Sequence, residues 1–230
     1  MINARTSGVS RPIVEVVDHV FVCCSVGGSE ADALSRAGLK EGSANTHPGQ
    51  GTACRRFFFS NAYLELIWVS DPREARTEAV LETRLWERWS KRSDGACPFG
   101  IVLRPADTAP CDPPFASRSY RPSYLPPEVS IEIARDTPLT EPGLFFFSFP
   151  HGRPGKALQP TDHQLPIGSL TGVTVWKPAG LLSAAAERLQ NAGLISFRSA
   201  DEYLMELTFD DATIGASVDL RPALSLTLRW

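Results

Sequence analysis

Long apolar runs are missing from this 230-residue chain. None approaches the roughly 18 residues of a membrane helix, so no membrane partner is expected. Runs of lysine and arginine are missing too, and the net charge is -3. Without a basic tract, no nucleic-acid partner is expected. The five cysteines (Cys23, Cys24, Cys54, Cys97 and Cys111) contain no Cys-x-x-Cys pair. Their odd number and irregular spacing argue against a disulfide framework or a zinc cluster. They fit small apolar residues in a reducing, cytoplasmic setting. Residues 1–13 lack the apolar core of a signal peptide and read as a flexible tail. No Gly-x-Ser-x-Gly elbow and no Rossmann fingerprint occurs, which removes two common catalytic plans. The remaining composition is that of an ordinary globular protein with room for one or two domains.

What is there centres on the stretch from Val14 to Val69. It opens on a strand carrying His19 and closes on a strand carrying Glu65. Side chains on a strand alternate faces. His19 therefore shares a face with Phe21 and Cys23, and Glu65 shares one with Tyr63 and Ile67. The opposite faces, Val20 with Val22 and Leu64 with Leu66, are aliphatic and suit packing under a helix. A histidine and a carboxylate placed alone among apolar residues need partners, because burying either unpaired costs several kcal/mol, on the order of a whole core contact. If the strands are neighbours, both groups face one cavity. Between them lie a helix from about Ser29 to Ala37, stopped at Gly38, and a turn, His47-Pro-Gly-Gln-Gly-Thr52. Gly49 and Gly51 allow close backbone approach, and N–H groups there can meet a ligand oxygen. A plain turn into the third strand is the other reading. Arg55 and Arg56 are adjacent on a strand, so one faces each way.

Asp18-His19-Val20, the helix ending Arg36-Ala-Gly38, His47-Pro-Gly-x-Gly-Thr52 and Tyr63-Leu-Glu65-Leu together resemble the glyoxalase-like branch of the vicinal-oxygen-chelate superfamily. The resemblance implies an α+β fold of βαβββ modules paired into cupped, mainly antiparallel sheets. It implies a metal on a His of a module's first strand and a Glu of its last, positions that His19 and Glu65 match. It also implies ligand contacts at His47, Gly49, Gly51, Thr52, Tyr63, Phe21 and, from a partial match, His163.

The rest of the chain divides as module one (14–70), a helix (71–94), module two (97–150), a loop (151–168, with His151 and His163) and a third βαβββ-like unit (169–230). Asp71-Pro72-Arg-Glu74 reads as a capped helix start, with Leu81, Leu85 and Trp89 as an apolar stripe. Module two has a proline-rich loop after Arg104 where a helix belongs. The third unit has a helix from Ala179 to Asn191 with Leu181, Leu182, Ala185 and Leu189 turned inward.

Module two offers Gly100 in the place of His19, and Phe146 or Phe147 in the place of Glu65. Half of the metal set is therefore missing, and two ligands seldom hold a divalent ion. The reading expects no resident cofactor. A divalent metal on His19 and Glu65, with His47 or His163 as a third ligand, in a metal-dependent lyase or dioxygenase, is the alternative. Without metal, Glu65 as base with His19 and His47 as orienting groups would suit proton transfer on a small organic molecule, as in a lyase or isomerase. Two rivals stand beside this: a non-catalytic binding or sequestering protein, and a buried His–Glu pair with a structural role alone. The third unit, left without a partner module, predicts a homodimer that covers Leu220, Leu224, Leu226 and Leu228; the competing outcome is a monomer in which it packs on module two, in the space of the missing helix.

Overall fold

The computed structural model describes residues 15–106, 111–147 and 159–230. The expected N-terminal tail and His151 lie outside them. Strand β1 (Glu15–Cys23) is followed by α1 (Ala31–Arg36), β2 (Asn45–His47), β3 (Thr52–Phe58) and β4 (Tyr63–Val69). β4 returns beside β1 in parallel, giving the order β2-β3-β4-β1. The second set, β5 (Phe99–Pro105), β6 (Ser117–Tyr120), β7 (Ile131–Ala134) and β8 (Gly143–Phe147), repeats that order as β5-β8-β7-β6. β1 and β5 pair antiparallel and join the two sets into one eight-stranded sheet. Between β5 and β6 no helix occurs among the described residues.

The helices are shorter than the sequence pattern predicts. After Asp71, whose carboxylate accepts the Arg73 N–H at 2.8 Å, comes a single 3-10 turn (Glu74–Arg76). Then come α2 (Glu78–Leu81) and α3 (Leu85–Ser90). The chain breaks at Arg84, where φ is +55°. Thr83 sits at the break; its hydroxyl donates to the Val80 carbonyl and accepts the Leu85 N–H. The break shifts the apolar phase, so Val80 is buried and Leu81 is exposed. α3 then turns Leu85 toward the concave face. Arg88 drops inward to donate to the Cys97 and Glu141 carbonyls.

The third unit runs β9 (Leu170–Lys177), α4 (Ala184–Asn191), β10 (Ser196–Ser199), β11 (Leu204–Phe209), β12 (Ser217–Asp219) and β13 (Leu226–Arg229). Its order is β10-β9-β11-β13-β12. In the two modules the first strand pairs in parallel with the last; here β9 pairs in parallel with the next strand, β10. The unit therefore departs from βαβββ connectivity. Hydrophobic periodicity reports elements and not their neighbours, so the two connectivities have the same sequence pattern. α4 begins later than predicted. Ser183 caps it by accepting the Ala186 N–H, and Leu181, expected inside, is 97% exposed.

The eight-stranded sheet has two apolar faces. Val20, Val22, Leu64, Leu66, Ile101 and Phe146 point to the back, where α1 covers part of them with Ala31 and Leu34. The third unit's sheet covers the rest, bringing Val175, Leu207, Phe209, Leu226 and Leu228 into the same core. Phe59 and Phe209 meet edge to face at 4.6 Å. The leucines that argued for a homodimer are thus buried inside one chain. That premise for a dimer fails, because the unit docks on the face that module two leaves without a helix. Phe21, Cys23, Cys54, Ile67, Val102 and Phe145 face the concave side.

Candidate functional site

The concave face holds a cavity of about 290 Å³. Phe21, Ile67, Leu85, Val102, Ile131, Phe145 and Phe147 make its apolar wall. His19, Asn45, His47, Gln50, Tyr63, Glu65 and Tyr124 supply the polar groups. β1 and β4 set this arrangement. Their register pairs His19 with Tyr63 and Phe21 with Glu65, so alternation sends all four side chains into the cup.

His19 is held by its own neighbour in sequence. On a regular strand Asp18 would point to the opposite face. The pairing of β1 with β5 shifts register between Val17 and His19, and a bulge of this kind re-aims a side chain. Asp18 Oδ2 lies 2.8 Å from His19 Nδ1. Asp18 Oδ1 is met by Arg104 Nε at 3.2 Å. An ionised carboxylate only accepts, so Nδ1 carries a proton. In the neutral ring Nε2 then keeps its lone pair, and it has no hydrogen-bond partner among the described residues. Tyr63 stacks on the imidazole with ring centroids 4.3 Å apart. Burial, with Glu65 nearby, raises the Tyr63 pKa and keeps the phenol neutral.

His47 sits at the other side of the cup. Its Nε2 accepts from Asn45 Nδ2 at 3.1 Å, and its Nδ1 lies 2.9 Å from Thr52 Oγ1. Gln50 donates to the same hydroxyl and accepts from Tyr124. Burial lowers the His47 pKa below the ordinary histidine value, with Glu65 pulling the other way. Arg56 leaves the cup: its guanidinium donates to the Ser43 carbonyl and hydroxyl and stacks on Phe58. Arg55 faces the other way and pairs with Glu41 and Asp32.

Of the residues the sequence singles out, His19, Phe21, His47, Tyr63 and Glu65 line the cavity; Gly49, Gly51, Thr52 and His163 do not. The turn's N–H groups are spent internally. Gly49 donates to Glu74 Oε2, and Gln50 and Gly51 donate to the His47 carbonyl. Glu74, read as half of a capping box, ties down this turn instead. Both glycines have positive φ, and a Cβ on Gly51 would lie 2.3 Å from the Asp71 carbonyl oxygen. His163 is a structural clip. Its Nδ1 accepts the Lys40 N–H and its Nε2 donates to the Phe58 carbonyl. Asp18 carries no signal of its role beyond standing next to His19 in the sequence. Tyr124 and Gln50 carried no signal, since a loop brings Tyr124 in from module two.

The family's full metal set does not fit. Register places Gly100 and Phe145 where a second His and Glu would stand; the Glu position is thus Phe145, not Phe146 or Phe147. A Cβ on Gly100 would lie 2.0 Å from the Phe21 ring, so that ring fills the space of the missing ligand. Three other donors, on His47, Cys54 and Glu65, lie within 4.8 Å of one another. Burial and the adjoining Glu65 push the Cys54 thiol up, so it stays protonated and donates toward the carboxylate. Both His47 nitrogens and the Cys54 thiol are thus engaged within the protein, which leaves the Glu65 carboxylate as the member of this group that opens onto the cavity.

A family model described as a glyoxalase-like domain matches residues 17–178. No curated protein matches the chain. A crystal structure of a hypothetical protein from Staphylococcus aureus superposes with a TM-score of 0.51 at 12% identity, covering 94% of this chain and 99% of that one. A fusion of a xylose isomerase-like TIM barrel with a 4-hydroxyphenylpyruvate dioxygenase gives 0.49 at 12% identity, covering 86% and 37%.

Proposed function

The chain belongs to the glyoxalase-like domain family, and on that premise we propose that it binds a small organic molecule in its cup and moves a proton on it at His19. The Asp18–His19 pair carries this reading. Asp18 fixes the tautomer and ring plane, so Nε2 presents a lone pair to a ligand. The imidazolium formed on proton uptake is stabilised by the same carboxylate, as a general base needs. Glu65 and His47 face the ligand as acceptor and orienting group. The proton taken onto Nε2 returns to another atom of the same molecule in an isomerase, or to a leaving group in a lyase. The cavity is at the small end of ligand pockets, which start at roughly 300 Å³; it suits one ring with a short chain.

Exchange of acidic C–H for deuterium tests this without a known product. Acetophenone and its aminomethyl derivative, incubated with protein in D₂O and followed by proton NMR, should lose methyl signal faster than in buffer. His19→Gln should remove about 10²–10⁴-fold of that rate. Wild-type protein that binds either ketone yet exchanges neither would leave a carrier, not a catalyst.

A further inference from the structure

We infer that the cavity takes a small organic cation, an amine or ammonium on a flat apolar body, with Glu65 as its counter-ion. This rests on the reading of the cup as a small-molecule site and names the class of molecule.

Glu65 is 5% exposed and opens onto the cavity. Among the described residues no cation lies within ion-pair distance of it, and the Cys54 thiol that donates toward it is neutral. A buried carboxylate with no cationic partner is costly, and a positive ligand relieves that cost. The charges nearby are committed elsewhere. Arg56, its cross-strand neighbour, is turned to Ser43 and Phe58. Arg104 pairs with Asp18 behind His19. Among the described residues no lysine or arginine lines the cavity, and the turn N–H groups that could greet an anion are bonded within the protein. Among these residues an anionic ligand would meet a carboxylate and no lysine or arginine. The walls also favour a cation: Phe21, Tyr63, Phe145 and Phe147 present aromatic surface, and ring faces attract positive charge.

Isothermal titration with benzylamine, benzyl alcohol and benzoate decides it, since the three differ mainly in charge. Wild-type protein should bind benzylamine on the order of tenfold to a hundredfold more tightly than benzyl alcohol, and benzoate least. Glu65→Gln should erase the preference for the amine and retain the alcohol, whose binding also reports that the variant's cavity is intact. Benzoate binding as tightly as the amine, or no binding of benzylamine at all, overturns the inference. Zinc chloride alone binding one per chain, lost in Glu65→Gln and with no amine preference in the wild type, assigns the charge to a metal and overturns it too. Amine preference without deuterium exchange would keep this inference and sink proton transfer. Exchange with neutral acetophenone but no amine preference would do the reverse.

Discussion

His19 and Glu65 share a cavity because strand alternation sets the face of each, which was readable from spacing, and because β1 and β4 are neighbours, which was not. What spacing could not give was the bulge that brings Asp18 round to His19 Nδ1, since a bulge is a property of two paired strands. Asp18→Asn should therefore cut deuterium exchange about 10- to 100-fold, the usual effect of losing a group that orients a histidine, while circular dichroism stays unchanged. His163 is the opposite lesson. A histidine in a Pro/Gly-rich loop looked like a ligand contact, but both nitrogens are engaged by backbone. Burial, the main cause, lowers its pKa, and the Phe58 carbonyl opposes this. Burial lowers that of His47 as well. The folded values lie below the unfolded ones, so the unfolded chain binds more protons in the window between them. Stability present above about pH 6.5 is thus lost as pH falls into that window. Urea midpoints at about pH 7.5 and pH 5.5 should fall in that order, and His163→Gln should lower the first more than the second.

The elements were legible where local chemistry decides them and illegible where packing does. Gly38 stops α1 as its position predicts, with Leu39 N–H reaching the Leu34 carbonyl. The long helix after Asp71 failed because Thr83 and Arg84 break it, placing Leu85 in the cavity wall and Arg88 beneath it. The Gly-rich turn was legible as a turn but not as a scaffold that aims His47 and Gln50. Gly51→Ala would add strain at a positive φ and a clash with the Asp71 carbonyl. It should cost about 1–3 kcal/mol in denaturant unfolding and weaken benzylamine binding by displacing His47. Gly100→Ala, which forces the Phe21 ring out of its place, should cost a similar 1–3 kcal/mol.

At the scale of the whole molecule, two modules build the cup and the third unit seals its back. The sequence offered the third unit two covers, a second copy or the gap where module two lacks a helix, and could not choose between them, since burial there depends on a contact between distant parts of the chain. With Leu224, Leu226 and Leu228 buried internally, light scattering should give a mass near 25.1 kDa that does not rise with concentration; a mass near twice that would restore the dimer. The central claim is that His19, fixed by Asp18, meets the ligand in the cup. Nitrogen NMR of histidine-labelled protein reads this directly, because the chain has 4 histidines. The account predicts that His19 is protonated on Nδ1 in the free protein, and that adding benzylamine shifts the His19 and His47 signals and leaves His163 unmoved. A His19 protonated on Nε2, or a His19 signal that benzylamine at saturation does not change, would contradict it.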